Sequence, residues 1–319
     1  MEKVVFLRTS HSGCPKGPSC LEGEESPTVI TVGNFDGVHL GHRLLLKKVR
    51  EMGEKKGLKS LVLSFYPHPL RVLSPAQSPC ELTSLQERAE LILEEGIQRV
   101  VFIKFDRKFA RMDAEEFVRE VLYERLRCKH LVVGQDWRFG YRREGEIELA
   151  REMGKELGFE VEETQPFRVG GHVVSSTLIR RLLHLGRLEE ASLYLGRNYW
   201  IERKVVGGAR RGFSLGFPTA NLENTENLCL KEGVYAVKVE GKLPGVANYG
   251  RRPTFGGRDR VLEVHLIDFK GELRGKRIRV EFLKFIREER RFSSPEELAR
   301  QIEKDVSAVR ELFRQVSGV

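Results

Sequence analysis

The stretch Thr31-Val-Gly-Asn-Phe-Asp-Gly-Val-His-Leu-Gly-His42 decides the reading of the first half of the chain. It leaves a β-branched run, Val29–Val32, turns through glycines 33, 37 and 41, and enters a periodic segment from about Leu40 to Lys56. Leu44, Leu45 and Val49 stand near helical spacing there. Outward from this unit the pattern repeats. Ser60–Phe65 reads as a buried strand, 84–95 as a helix, Val100–Phe105 as a strand, 114–126 as a helix, His130–Val133 as a strand and 145–157 as a helix. Strands alternating with helices predict a parallel, helix-covered α/β sheet, whose ligands sit beyond the carboxyl ends of the strands.

The loop itself carries chemistry. Gly33, Gly37 and Gly41 allow a ligand close to the backbone and permit positive φ. His39 and His42, three apart on a starting helical turn, face one way. A helix start offers unpaired N–H groups and partial positive charge to phosphates. Far downstream, Ser175-Ser-Thr-Leu-Ile-Arg180 places the hydroxyls of Ser176 and Thr177 at a second predicted helix start, with Arg180 one turn on. There is no G-x-x-x-x-G-K-[ST] loop, so this is not a Walker-type site.

The second half changes character. Tyr199–Val206, Gly233–Val239, Arg260–Phe269 and Lys276–Phe285 read as strands separated by Gly-rich turns, with no long helix between them. That pattern predicts an antiparallel barrel. A final helix runs to about Arg314, with Ser294 as N-cap, Pro295 at its first position and Glu297 as capping-box partner. The expected domains are 1–186 and 187–319, with the boundary region near 184–198.

In the segment Gly216-Phe-Pro-Thr-Ala-Asn-Leu222, Thr219 and Asn221 alternate onto one side of an extended chain. A hydroxyl and an amide carbonyl are hard oxygen ligands of the kind suited to Mg²⁺. In Leu262-Glu-Val-His-Leu266 the three apolar residues share one face, and Glu263 and His265 take the other. A carboxylate so placed can accept the proton of an attacking alcohol.

Two resemblances follow from these motifs. H-x-G-H paired with S-S-T-x-x-R is similar to the nucleotidylyltransferase superfamily. Thr31–His42, Pro67-His-Pro69, Gly134-Gln-Asp-Trp-Arg-Phe-Gly140 and Ser175–Arg180, together with the P-T-A-N segment, Gly233-Val-Tyr-Ala236, Asn248-Tyr-Gly250, Arg252-Pro-Thr254 and Arg287-Glu-Glu-Arg-Arg-Phe292, resemble the bacterial bifunctional riboflavin kinase/FAD synthetases over nearly the whole chain. The resemblance implies a Rossmann-like nucleotidylyltransferase α/β domain, an antiparallel β-barrel riboflavin-kinase domain and a C-terminal helix. It implies phosphorylation of riboflavin to FMN and adenylylation of FMN to FAD, with ATP, riboflavin and FMN as small-molecule partners and Mg²⁺ beside ATP.

Carried over residue by residue, the resemblance implies ATP contacts around Gly33, Asn34, Asp36, His39, His42, Ser176, Thr177 and Arg180. Phe35, Gly37 and Gly41 belong to the same loop, and Pro67, His68, Pro69 and Asp136 to the same cleft. It also implies a P-T-A-N site at Gly216, Pro218, Thr219 and Asn221, a general base at Glu263, and flavin contacts at Arg287 and Phe292. Two departures stand out. Gln135-Asp136-Trp137 replaces the family's Glu-Asp-Phe, and the Gly-rich run before P-T-A-N is altered across 203–213.

The remaining composition narrows the class. With 319 residues, 40% hydrophobic and 32% charged, the chain suits two folded domains and excludes a disordered one. No apolar run approaches the ~20 residues of a membrane span. The first residues lack a basic-then-apolar leader pattern, so the expectation is a cytoplasmic protein with no membrane partner. The net charge of +9 fits polyanion binding; a basic nucleic-acid-binding protein is the rival class. The chain holds no concentrated Lys/Arg tract and no stacking-aromatic motif, and no nucleic-acid partner is expected. A cytidylyltransferase-like enzyme shares H-x-G-H but leaves P-T-A-N and Glu263 without a role.

A monomer or weak homo-oligomer is expected. Glu, Lys and Arg are abundant beside few Asn and Gln, a composition compatible with a thermophilic source. The five cysteines, an odd count, do not read as a disulfide framework. Cys14 and Cys20 are expected in a loop, with a local disulfide or metal site as the alternative.

Overall fold

A computed structural model describes residues 3–15, 19–207, 219–251 and 260–317. The chain divides into two compact units. The first comprises Met1–Pro79 and Thr83–Ser175; the second comprises Cys80–Leu82 and Ser176–Val319.

The first unit is built on seven strands: β1 (Val4–Leu7), β2 (Cys20–Leu21), β3 (Thr28–Val32), β4 (Lys59–Tyr66), β5 (Arg99–Lys104), β6 (Cys128–Gly134) and β7 (Glu160–Thr164). They lie in the order β2-β1-β5-β4-β3-β6-β7, and every described pairing is parallel. The expected helix-covered parallel sheet is thus present. β3 is buried at every position, as a central strand covered on both faces must be.

Helices α1 (Leu40–Lys56), α2 (Pro69–Leu73), α3 (Leu85–Glu94), α4 (Ala114–Glu116) and α5 (Ile147–Leu157) connect the strands. α1 spans the expected residues and ends on Gly57 in the left-handed conformation, φ 65°. The predicted 114–126 helix departs from regularity. After α4, Phe117–Arg125 forms wide π-type turns, which bring Phe117, Val118, Val121 and Leu122 together into the core. A small hairpin, β8 (Arg168–Val169) and β9 (His172–Val173), closes the unit.

Strand order fixes where a ligand can sit. From β3 the chain adds β4 and β5 on one side, then returns to lay β6 and β7 on the other. The carboxyl ends of β3 and β6 therefore flank the point where the order reverses, the crevice that open α/β sheets use for binding.

The second unit opens with α6 (Ser176–His184) and α7 (Leu188–Leu195). Six strands follow: β10 (Tyr199–Val206), β11 (Thr219–Leu222), β12 (Gly233–Val239), β13 (Leu243–Arg251), β14 (Arg260–Leu266) and β15 (Arg277–Arg287). They close as an antiparallel barrel in the order β10-β11-β14-β13-β12-β15. Inward residues such as Ile201, Tyr235, Val264 and Phe282 fill it. α8 (Pro295–Ser317) packs Val306 and Val309 against Val234, Ala236 and Val246 on the barrel's outer wall. Its cap differs in one detail from expectation. Ser294 Oγ accepts from Glu297 N at 3.2 Å, but the Glu297 carboxylate turns to Ser293, accepting from its N at 2.9 Å and its Oγ at 2.7 Å.

The expectation of no disulfide framework is corrected, and at Cys14 and Cys20 the local-disulfide alternative is the one present. Cys14 is bonded to Cys20, and Cys80 to Cys229 across 149 residues, leaving only Cys128 free and buried. An odd count conceals two pairs when the fifth residue serves as a core hydrophobe. Burial raises the Cys128 thiol far above its ordinary pKa, so it is inert as a nucleophile. Cys80–Leu82 bridges to the barrel segment at Glu81 and Leu228, and His184 Nε2 lies 3.4 Å from Cys80 Sγ. Closing so long a loop restrains the unfolded chain. Cys80→Ala/Cys229→Ala is expected to lose about 2–4 kcal/mol, read from the urea midpoint of barrel unfolding. An unshifted midpoint would show that packing alone holds this segment.

Candidate active sites

In the first unit the turn after β3 is built from strained backbone. Phe35 (φ 49°), Gly37 (φ 86°) and Val38 (φ 37°) all lie in the left-handed region. For a bulky or β-branched residue such a conformation costs on the order of 1–3 kcal/mol and persists only where surroundings impose it. Gly33 N donates to Leu63 O at 3.1 Å, and Ser64 Oγ to Asn34 O at 3.2 Å, tying the turn to β4. Asn34 Oδ1 is buried and has no hydrogen-bond partner among the described residues.

His39 caps α1, its Nδ1 accepting from His42 N at 3.2 Å. An accepting Nδ1 places the proton of the neutral ring on Nε2, the donor side toward a phosphate. The two imidazoles stack with centroids 3.6 Å apart, and Phe35 lies 5.0 Å from His42. Gly41 makes room for this pair: a Cβ there would stand 3.3 Å from His39 Cε1 and Nδ1.

The other first-unit residues lie at neighbouring strand ends. Pro67-His-Pro69 follows β4, with His68 capping α2 through Nδ1 (from Leu70 N, 3.2 Å) and its Nε2 3.4 Å from Asn34 Nδ2. Asp136 is exposed just past β6. Since β4, β3 and β6 are adjacent, the structure gathers these motifs at one edge of the sheet. Asp36 is the exception in orientation. It is 1% exposed, and its Oδ1 accepts from Thr83 N and Oγ1, both at 2.9 Å. Thr83 and Arg88 were missed by sequence reasoning, because nothing local marks residues so distant from Asp36 as its partners.

Ser176, Thr177 and Arg180 lie on α6 in the second unit, Ser176 at its first position and Thr177 exposed. Arg180 Nε donates to Cys80 O at 2.8 Å. Burial holds the nearby His184 imidazole below its ordinary pKa.

On the barrel, β11 runs antiparallel to β14 with Asn221 opposite Glu263 and Thr219 opposite His265. Cross-strand partners share a face, so these four side chains form one polar patch. The alternate residues Ala220, Leu222, Leu262, Val264 and Leu266 are buried. β13 sets Asn248 opposite Glu263 from the other side, and Asn248 Nδ2 donates to Glu289 Oε1 at 3.1 Å. Gly216 and Pro218, like much of the altered 203–213 run, lie outside the described residues.

Arg287 ends β15. Its Nε donates to both Asp305 oxygens at 3.1 and 3.2 Å and its Nη2 to Oδ2 at 2.7 Å, while the guanidinium stands 5.8 Å from the Phe292 ring. Asp305 is 3% exposed, so this pair fastens α8 to the barrel. Arg287→Met removes the cation from a buried carboxylate and leaves it the Gln301 amide, whose Nε2 donates to Oδ1 at 2.8 Å. It is expected to cost about 3 kcal/mol, read as a lower urea midpoint, with an unchanged midpoint contradicting the anchoring role.

Hard oxygen donors suited to Mg²⁺ are present as Thr219 Oγ1 and Asn221 Oδ1, on one face beside a carboxylate. Elsewhere His11, Glu116 and Glu120 bring ligating atoms within 4.8 Å, but Ser10 N (2.7 Å) and Arg125 Nη2 (3.8 Å) already engage Glu120. Among the described residues no helix is long and apolar enough to cross a membrane.

Comparison with known proteins agrees with this division. A family model described as FAD synthetase matches residues 21–178, and one described as riboflavin kinase matches residues 195–313. A bifunctional riboflavin kinase/FMN adenylyltransferase of Escherichia coli is 43% identical over 289 residues, covering 89% of this chain and 92% of the relative. The protein of that description from Pseudomonas fluorescens is 38% identical over 310 residues, 96% of this chain and 95% of the relative. A crystal structure described as a macrolide-efflux protein from Streptococcus pneumoniae matches with a TM-score of 0.78 at 28% identity, covering 90% of this chain and 95% of that one.

Proposed function

The chain belongs to the bifunctional riboflavin kinase/FMN adenylyltransferase family, and we propose that two separate sets of its residues carry the two reactions. It phosphorylates riboflavin to FMN with ATP and adenylylates FMN to FAD, releasing pyrophosphate. Residues 1–186 are assigned the second reaction and 187–319 the first.

In the kinase step the riboflavin 5′-hydroxyl is a neutral alcohol, and its proton must leave as it attacks the γ-phosphorus of ATP. Glu263 accepts that proton. Thr219 and Asn221 would hold Mg²⁺, which when bound neutralises charge on the ATP phosphates. The observation that supports this assignment is the register of β11 on β14, with Asn221 opposite Glu263. Arg287 and Phe292 help hold the flavin, and Gly216 and Pro218 are assigned to ATP or flavin binding by their motif.

In the adenylyl transfer the FMN phosphate, already an anion, attacks the α-phosphorus of ATP. No protein nucleophile or strong base is required, so alignment and charge neutralisation are what the residues must supply. His39 and His42 donate to the leaving pyrophosphate, and Arg180, Ser176 and Thr177 are assigned phosphate contacts by their motif. Gly33, Asn34, Phe35, Gly37, Gly41, Pro67, His68, Pro69 and Asp136 form the remaining nucleotide and flavin contacts, and Asp36 acts from beneath the loop.

A cytoplasmic, monomeric or weakly self-associating enzyme that binds no nucleic acid or membrane goes with this reading. Two disulfides are compatible with that place in a heat-adapted intracellular protein.

Incubating the protein with riboflavin, ATP and Mg²⁺, and separately with FMN, then separating products chromatographically, tests the reading. FMN followed by FAD is expected. FAD from FMN but nothing from riboflavin would remove the kinase assignment. No product in either tube would remove both.

A further inference from the structure

We propose that Thr83 is a positioning residue for adenylyl transfer, holding the strained turn that presents His39 and His42. The inference rests on the reading that this histidine pair acts on ATP.

The turn between β3 and α1 has three residues in the left-handed region, at φ 49°, 86° and 37°, and two of them are Phe35 and Val38. Such a backbone does not persist unaided. Within the turn, Val38 N donates to Phe35 O at 3.1 Å, a bond that spans the strained residues without anchoring them to anything outside.

The Thr83 hydroxyl supplies an anchor. It donates to Asp36 Oδ1 at 2.9 Å and accepts from Gly37 N at 3.1 Å. A hydroxyl has one proton to give and lone pairs to receive, and here both capacities are spent on consecutive residues of one turn. Thr83 N adds a second bond to the same Asp36 oxygen at 2.9 Å. The result is a closed ring of bonds at the centre of the loop, with Thr83 3% and Asp36 1% exposed.

The anchor is itself rigid. Thr83 immediately precedes Ser84, the N-cap of α3, whose capping box is complete: Ser84 Oγ accepts from Glu87 N at 3.2 Å, and Glu87 Oε2 accepts from Ser84 N at 2.6 Å. Beneath it the fully buried Arg88 sets Nη2 3.8 Å from Asp36 Oδ1 and donates from Nη1 to Phe65 O at 3.3 Å. The chain of fixed contacts thus runs from α3 through Thr83 to Asp36 and Gly37, and two residues later reaches His39.

Thr83 acts through the turn and not on substrate, so its effect falls on alignment. Misplacing a catalytic group by about 1 Å costs on the order of 10²-fold in rate, while ground-state ATP binding, shared among many contacts, changes little. Thr83→Val keeps the branched shape and removes the hydroxyl; Thr83→Ser keeps the hydroxyl.

The experiment measures kcat and the KM for ATP of FMN adenylylation in both variants, in Thr83→Ala and in His42→Ala, with riboflavin phosphorylation by the same samples as the internal control. Thr83→Val is expected to lose about 10- to 100-fold in kcat, with a KM for ATP within about threefold of the parent and an unchanged kinase rate. Thr83→Ser is expected within about twofold of the parent. Thr83→Ala repeats the Val result and serves where the Val variant is insoluble. A parental kcat in Thr83→Val or Thr83→Ala overturns the proposal, as does a Ser variant that falls as far as the Val variant. If His42→Ala is fully active, the reading of the histidines has failed and the proposal falls with it. If His42→Ala is inactive and Thr83→Val is normal, the proposal alone falls.

Discussion

Replacing Glu263 with Ala or Gln abolishes FMN formation from riboflavin, by about 10²- to 10⁴-fold, and leaves FAD formation from supplied FMN at the parental rate. The magnitude is that of a general base. A riboflavin hydroxyl that keeps its proton is a poor nucleophile, and Glu263 supplies a carboxylate to the patch it forms with Thr219, Asn221 and His265. Gln is the sharper substitution. It preserves size and one acceptor oxygen on the outward face of β14 but cannot hold a proton.

Folding should tolerate either change. Leu262 and Val264, which flank Glu263 in sequence, are fully buried on the opposite face and carry the barrel core. The kinase rate and the adenylylation rate of the same sample therefore read chemistry and integrity separately. His265→Ala is the companion measurement: if it removes the kinase step while Glu263→Gln retains it, the base has been assigned to the wrong member of the patch.

The parts of this architecture visible in the sequence are those in which a local pattern and a tertiary demand coincide. α1 could be read from Leu40 to Lys56 because its cap, its apolar stripe and its terminal glycine all fall within one segment. The polar patch of the barrel could be read because alternation in Leu262–Leu266 sorts faces without reference to a partner strand. The register that puts Asn221 beside Glu263 could not, since pairing joins strands separated by residues whose pattern is silent about it.

Strands β7 and β13 escaped for opposite reasons. Among the described residues Glu160-Val-Glu-Glu-Thr164 is an edge strand paired with β6 alone, and charge is how an edge avoids unwanted pairing, so it lacks the apolar signature of a strand. Leu243-Pro-Gly-Val-Ala-Asn-Tyr-Gly-Arg251 carries a proline and two glycines, which normally argue against a strand. The barrel accepts them because closure imposes the ladder from both neighbours. The inward turn of Asp36 was equally hidden. The residue stands amid a ligand-binding motif, yet its side chain serves Thr83, 47 residues away.

His42→Ala loses FMN adenylylation by about 10²- to 10³-fold and leaves riboflavin phosphorylation intact; Arg180→Ala does the same. The expectation follows from what the reaction lacks. FMN brings its own anionic nucleophile, so the barrier that the protein can lower lies in bringing two polyanions together and stabilising pyrophosphate as it departs. Removing one preorganised donor from such a site costs about 2.7–4 kcal/mol in transition-state stabilisation. His42 is held for this by stacking on His39 at 3.6 Å and by Phe35 at 5.0 Å, so its ring is ordered before ATP arrives. Arg180 is held through Nε, which donates to Cys80 O at 2.8 Å. His42→Asn tests the donor against the ring: Asn can still donate a hydrogen bond but cannot stack in the same way. Partial activity in Asn with none in Ala assigns the donor; equal loss assigns the stacked ring. Parental adenylylation in both His42→Ala and Arg180→Ala would remove the charge-neutralising role from this pair and require that the backbone N–H groups at the start of α1 stabilise pyrophosphate without them.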